Sequence, residues 1–405
     1  MSKEKLIAGL DIGTSKIRVL IVGQKSEDED LESVFQDEEV SVGIRNGTII
    51  NPERVSEIIQ SLFYKAYQDT GQKINSVYAN YNGSHLFSIQ SHGLVSVSRA
   101  NQIISEEDIK RVLDAAQAIS LPSKNREIFD YYPKEFIVDT EKGIKNPKGL
   151  QGIRLEVDIL ALGGFSSYLR NTKKAVLDSG LEASDLVISP IAAARAVLNE
   201  SQKESGVALL DIGSGITSLA VYEEGVLIHF AVIPMASKNI TGDIAIALKT
   251  RLDIAERIKI EQGTCIFKGK DKKQEIETED GEPLIFSDKF LTKVISERLL
   301  AIFGEAEKEL EKISKEKSLP AGIVLTGAGS KLPKIVRLAK DKFNLPVIIG
   351  KPKSISGVIE DPEMATVCGL ALLGSDAERA KRTGGSDALK KISSFLKKGF
   401  KIFIP

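Results

Sequence analysis

Tryptophan is missing from this 405-residue chain, and histidine and cysteine nearly so, with three and two copies. So few ligands exclude a Cys/His metal cluster, and two cysteines cannot build the disulfide framework of a small secreted scaffold. Cys265 and Cys368 each sit among apolar residues and are expected to be buried thiols in a reducing compartment. An excess of charge is lacking too, since Lys plus Arg is 55 against 56 for Asp plus Glu. No bulk field therefore favours nucleic acid, and an electrostatic partner must be met by a local patch. Nowhere do apolar residues run on for the roughly 18 that a spanning helix needs, so contact with a bilayer is expected to be peripheral. The charged start, Met1 to Lys5, has no apolar stretch of the signal-peptide kind, and the protein is expected to stay inside the cell.

What is present is length and an internal repeat. The chain is longer than one compact core usually organises, which points to two lobes with inserted subdomains. Gly9-Leu-Asp-Ile-Gly-Thr-Ser-Lys-Ile-Arg-Val19 resembles Leu209-Leu-Asp-Ile-Gly-Ser-Gly-Ile-Thr-Ser-Leu219. Each copy reads as an apolar strand ending in Asp, a Gly-containing turn and a second β-branched strand, that is, a β-hairpin with a tight polar tip. Tips made of Gly13, Thr14, Ser15 and Lys16, and of Gly213, Ser214, Gly215 and Thr217, offer backbone N–H groups and hydroxyls without bulk, which is a phosphate cradle. A carboxylate beside phosphates is repelled unless a divalent ion lies between them. Asp11 and Asp211 are therefore expected to hold Mg²⁺ through water, because Mg²⁺ keeps much of its hydration shell. One such turn could equally be an ordinary Gly hairpin; two at matching positions argue otherwise. A third element, Ile323-Val-Leu-Thr-Gly-Ala-Gly-Ser330, is again a strand and a Gly-rich turn, followed by a helix with Pro333 near its start.

Helices are expected at 52–67, 106–119, 166–179, 191–198 and 288–313. Residues 83–164 alternate short strands with one helix and read as a module of their own. Residues 269–282 read as an exposed loop and 375–386 as a polar linker. Beyond Asp387 the chain has no acidic residue. Stepping about 100° per residue from Leu389, Lys390, Lys391, Lys397, Lys398 and Lys401 fall between roughly 80° and 200°. Leu389 itself, Ile392, Phe395, Leu396, Phe400, Ile402 and Phe403 occupy the other side. A Phe-rich face opposite five lysines, carried on a flexible linker, favours an anionic membrane surface over docking on the protein's own body.

The three Gly-rich elements, in this order, resemble the actin, sugar kinase and DnaK-type ATPase superfamily. Within it the chain is similar to the FtsA family of bacterial division proteins, most closely in Ile233-Pro-Met-Ala-Ser-Lys-Asn-Ile-Thr-Gly-Asp243, Ala255-Glu-Arg-Ile-Lys259 and Gly143-Ile-Lys-Asn-Pro-Lys-Gly149. The resemblance implies a two-lobed α/β actin-like fold with ATP and Mg²⁺ in the cleft. It divides the chain into a first lobe (1–84 and 165–206) with an insert (85–164), a second lobe (207–242 and 319–374) with a small subdomain (243–318), a linker (375–386) and a membrane helix (387–405). It further implies that Glu256 and Lys259 flank the ribose, that Gly327, Ala328 and Gly329 line the base, and that Lys293 and Arg298 receive the C-terminal peptide of the tubulin-like FtsZ. The implied partners are FtsZ, anionic lipids, further copies of the chain and later division proteins, at the cytoplasmic face of the membrane. Ile216 is a departure, removing a hydroxyl from the second cradle and shifting the expected phosphate contact to Thr217. Ser189 stands where DnaK-type relatives offer a Glu, so hydrolysis is expected to be slow. A PilM-like pilus scaffold and a sugar or acid kinase are the alternatives; the basic tail speaks against the first, and the lack of a convincing catalytic base against the second.

Overall fold

The computed structural model describes residues 5–24, 31–121, 123–277, 283–315 and 318–382. The expected linker residues 383–386 and the membrane helix lie outside the described residues. β1 (Lys5–Ile12) and β2 (Lys16–Gln24) form the first hairpin, paired antiparallel from Lys5↔Gln24 to Ile12↔Ile17. Leu10, Ile17, Val19, Leu20 and Ile21 are all buried, so both faces of this hairpin are covered and its strands read as apolar runs. β3 (Leu31–Val40) continues the sheet antiparallel to β2. A small hairpin, β4 (Ile44–Arg45) and β5 (Thr48–Ile49), then turns through Asn46 and Gly47, both at positive φ as an Asn-Gly turn favours. In α1 (Pro52–Thr70), Asn51 caps the start by accepting from Arg54 N at 3.2 Å, and Gly71 ends it in the left-handed conformation. β6 (Ser76–Tyr81) returns parallel to β1.

The insert follows: β7 (Phe87–Ser96), α2 (Glu106–Gln117), β8 (Arg126–Val138), β9 (Glu141–Ile144) and β10 (Arg154–Phe165). Its sheet runs β7-β10-β8-β9, and α2 covers it through a separate core of Ile109, Val112 and Leu113 against Leu155, Val157 and Ile159. The first lobe is completed by α3 (Ser166–Asp178), β11 (Glu182–Ile188) parallel to β6, α4 (Ser189–Val197) and α5 (Glu200–Ser205).

In the second lobe the pattern repeats. β12 (Val207–Ile212), β13 (Thr217–Glu223) and β14 (Val226–Ile233) are antiparallel neighbours. After them come α6 (Ser237–Leu248), α7 (Leu252–Gln262), a ribbon of β15 (Lys273–Glu277) and β16 (Pro283–Ser287), and the long α8 (Asp288–Glu311). β17 (Ile323–Thr326), α9 (Ile335–Phe343) and β18 (Val347–Ile349) close the sheet, with β17 parallel to β12. The strand orders β3-β2-β1-β6-β11 and β14-β13-β12-β17-β18 match position for position and direction for direction. The duplicated α/β fold expected from the repeat is present.

Three expectations need correction. The chain does not remain in the second lobe to residue 374: β19 (Ile355–Ser356) pairs with β3, and α10 (Ala365–Arg382) packs on β1, β2, β6 and α4. Nor is 375–382 a linker, because α10 runs through it, burying Ser375 and Ala380 while Asp376 pairs with Arg195 at 2.8 Å. Asp376, Glu378 and Arg379 are half-buried or exposed, so no apolar stripe announces this end of the helix. Within the expected loop 269–282, residues 273–277 are strand, anchored by the buried Ile276.

Helix α10 lies on α4 through glycine. A methyl group on Gly369 would stand 1.7 Å from the Ala192 carbonyl oxygen, and one on Gly9 would stand 2.7 Å from that of Val367. Gly369→Val should therefore cost about 3 kcal/mol or more, because a backbone cannot yield as a side chain can. Gly304, within α8 with no atom inside 4 Å of such a methyl, is the contrast: Gly304→Ala should stabilise by about 0.5–1 kcal/mol. Urea denaturation of both variants checks the pair, and equal effects would contradict the packing.

Candidate nucleotide cleft

The hairpin tips face each other. A methyl group on Gly215 would lie 2.7 Å from Thr14 Oγ1, so a side chain there would push the tips apart. Each tip is closed by one backbone bond, Gly13 N to Lys16 O and Gly213 N to Ile216 O, both at 3.1 Å. The amides of Thr14, Ser15, Ser214 and Gly215 find no protein acceptor among the described residues. Four unspent donors on two converging turns are what an anionic group requires.

Behind each tip a carboxylate ends the first strand. Burial pushes Asp11 up to about 6, against the opposing pull of Arg18 and Asn80. Burial first, and then the negative charge of Asp11, push Asp211 up to about 7. Like charges held near each other resist joint ionisation, and a divalent cation between them removes the conflict. Two carboxylates alone do not complete a protein cage, and none of three or more His, Cys, Asp or Glu exists among the described residues. Such a pair fits a hydrated Mg²⁺ that takes its remaining oxygens from water and phosphate. Gly327 preserves the room, since a methyl there would stand 2.3 Å from Asp211 Oδ1.

Residues that the sequence did not single out hold Asp11 in place. Asn80 Nδ2 donates to Asp11 Oδ1 at 2.7 Å and to Ser189 Oγ at 2.9 Å, while its Oδ1 accepts from Ile12 N at 2.6 Å. Arg18 Nη1 lies 3.9 Å from Asp11 Oδ2, with its Nε on Glu38 at 2.8 Å and its Nη2 on Glu363 at 2.5 Å. Glu363 also binds Lys331 at 2.5 Å, joining the first hairpin to the turn after β17. The signal for Arg18 was available: it stands directly across the hairpin from Asp11. Asn80 lies within the buried strand β6, one residue before its end, and had none.

The other expected residues separate into those facing the cleft and those spent elsewhere. The turn holding Gly327, Ala328 and Gly329 rests against the end of β12, where a methyl on Gly329 would meet Ile212 at 2.4 Å. Helix α6 begins on the second tip, with Ser237 N donating to Gly213 O at 3.1 Å and Lys238 N to Ser214 O at 2.9 Å. Lys259 is buried and donates to Ser237 Oγ and Thr241 Oγ1, both at 2.9 Å, and to Glu256 Oε2 at 2.7 Å. Glu256 and Lys259 thus meet on one side of the cleft. Thr217 does not fit its expected role: it is fully buried and its hydroxyl donates to Met235 O at 2.7 Å, because the position already belongs to β13. Lys16 pairs with Glu38 on β3. Arg298 and Lys293 point different ways. The Arg298 guanidinium clamps Asp243 on α6 at 2.6 and 2.8 Å, whereas the exposed Lys293 lines a groove of about 540 Å³ with Ile266, Phe267, Phe290 and Leu300. Five residues separate them on α8, a rotation of about 140°.

Comparison with known proteins gives this architecture its kin. The family model described as "Cell division protein FtsA" matches residues 208–369, and that of the "SHS2 domain inserted in FTSA" matches 83–162. Cell division protein FtsA of Pseudomonas aeruginosa is 36% identical, covering 91% of this chain and 89% of its own. That of Borreliella burgdorferi is 35% identical over 98% and 96%. Among solved structures, the PilM-PilN type IV pilus biogenesis complex aligns with a TM-score of 0.66 at 17% identity, over 91% of this chain and 98% of that one. MreB 5 of Spiroplasma citri bound to AMPPNP gives 0.59 at 12%, over 94% and 99%. At such identities the structures speak for the actin-like fold alone, but the sequence relatives speak for kinship: the chain belongs to the FtsA family of actin-like cell division proteins.

Proposed function

We propose that this division protein binds Mg·ATP between its hairpins and uses the bound state to assemble on the cytoplasmic face of the membrane, where it tethers FtsZ filaments and recruits later division proteins. The observation that carries this reading is the pair of tips whose free amides and buried carboxylates together suit a metal-bound phosphate chain. Asp11 and Asp211 would hold the hydrated Mg²⁺, which supplies charge neutralisation for the phosphates; the free amides of Thr14, Ser15, Ser214 and Gly215 would bind them, with Gly13 closing its turn. Glu256, Lys259 and the 327–329 turn would take the nucleoside.

Chemistry on the phosphates is expected to be slow. Ser189 Oγ, next to Asp11 in the Asn80 network, holds a water poorly as a base, and Glu256 is already held by Lys259 and Thr241. Polymerisation on a persistently bound nucleotide fits this better than phosphoryl transfer, and turnover below about 1 s⁻¹ is expected.

The peptide partner is assigned to the groove beside α8. Its floor is Ile266, Phe267, Phe290, Leu300 and Leu338, and its rim carries Lys289 and Lys293, which suits an acidic tail peptide with apolar anchors. No described helix is long and apolar enough to cross a membrane. Attachment is assigned to 387–405, whose five lysines contribute at most about 5 kcal/mol on an anionic surface, with burial of the Phe-rich face adding to it.

With nucleotide at a hundred times its Kd, Mg·ATP should stabilise the protein by about 2.7 kcal/mol; EDTA or Asp211→Ala should remove most of that gain, and an undiminished gain would refute the metal assignment. Deleting 387–405 should leave a folded protein that no longer pellets with anionic vesicles, and unchanged pelleting would refute the anchor. Lys293→Glu should weaken the FtsZ C-terminal peptide about tenfold in a fluorescence titration while sparing ATP. Arg298→Ala should instead lower thermal stability, by freeing Asp243; a peptide loss confined to Arg298 would overturn the groove assignment.

A further inference from the structure

The turn between β4 and β5 touches three separate bodies. Gly47 N donates to Thr14 Oγ1 at 2.8 Å, fixing the hydroxyl of the first tip. On the second tip, a methyl on Gly215 would lie 3.0 Å from Asn46 Cα, and one on Gly47 would lie 3.1 Å from Ile216 Cδ1. The third body is the base of the insert, where Ser84 N donates to Asn46 O at 3.2 Å and Thr48 Oγ1 lies 3.2 Å from His85 Nδ1. Gly47 and Gly83 touch without side chains, a methyl on the former meeting the latter's N at 3.0 Å.

His85 stands where the insert both leaves and rejoins the lobe. Its Nε2 lies 2.7 Å from Tyr81 OH at the end of β6, and its ring stacks at 5.9 Å on Phe165 at the end of β10. Burial holds the ring neutral, so this is a packed pivot rather than a charged one. The insert also leans on the second lobe, with Ser88 Oγ donating to Phe230 O on β14 at 2.7 Å. A body seated on both lobes cannot keep one orientation when the gap between them changes. Close-packed contacts of this kind shift between discrete arrangements rather than yield gradually.

We propose that the Arg45–Thr48 turn is a positioning element that senses the spacing of the two hairpin tips and sets the orientation of the insert through Thr48 and His85. Occupation of the cleft is thereby linked to the surface that the insert presents to other proteins. The inference rests on the nucleotide assignment above. Linkage makes it reciprocal: a partner that holds the insert in its nucleotide-bound orientation tightens nucleotide binding by the same factor.

Spin labels at Gln68→Cys on α1 and Lys142→Cys on the insert report the orientation, both positions being exposed and the native Cys265 and Cys368 buried. In the full chain, the label separation should change by about 2 Å or more between the nucleotide-free and Mg·ATP states. Thr48→Val, outside the cleft, should retain Mg·ATP binding by calorimetry and lose the change; Thr48→Ser, which keeps the hydroxyl, should restore it. Binding without any change in separation, or a change undiminished in Thr48→Val, would overturn the coupling while leaving the nucleotide site standing. Absence of binding in the unsubstituted chain would overturn both.

Discussion

Two carboxylates whose charges act on each other cannot comfortably ionise together, and much of this molecule is arranged around that conflict. Duplication of one hairpin puts Asp11 and Asp211 at equivalent strand ends, where burial first and then the charge of Asp11 push the Asp211 carboxyl upward. Arg18 and Asn80 keep Asp11 oriented and partly ionised, at the cost of tying up every polar atom of the Asn80 amide. Asp211 has no comparable support; its neighbour is the bare Cα of Gly327. Resolving the remaining repulsion needs a cation, and the cation in turn needs the phosphate oxygens that the unspent tip amides are placed to bind.

For the conflict to matter, the lobes have to be held together. Helix α4 contacts strands of both sheets, and α10 crosses back from the second lobe to seal the first. The crossing is close because Gly369 lets α10 approach the Ala192 carbonyl and Gly9 lets it approach β1. One hydrophobic cluster runs from Leu10 and Ile17 through Ala193 to Leu209 and Phe230, spanning both sheets without a break. The insert and the small subdomain hang on this core with contacts of their own, which leaves each free to present a surface.

The duplicated hairpins were legible because both their strands are buried on both faces and their tips need Gly; pattern and chemistry there coincide. The insert was legible by its change of rhythm and its capped helix after Ser105. Helix α10 was misread because its last turns are polar and lack an apolar stripe, although their Ala, Glu, Arg and Lys are good helix formers and Asp376 pairs with Arg195. Thr217 went astray because a residue type suited to a ligand can be consumed by its own fold, here by the Met235 carbonyl, and the Asp243 carboxylate that engages Arg298 is likewise remote in sequence. The Asn46-Gly47 pair was readable as a hairpin turn, but its position between two tips and an insert is a product of three-dimensional closure.

Substituting Mn²⁺ for Mg²⁺ makes the central claim visible by pulsed electron paramagnetic resonance. The account predicts one tightly held Mn²⁺ per chain only when ATP is present, with strong coupling to phosphorus and to water protons, since the protein carboxylates act through the hydration shell. ATP that binds equally well without metal, or a bound Mn²⁺ showing no phosphorus coupling, would contradict it.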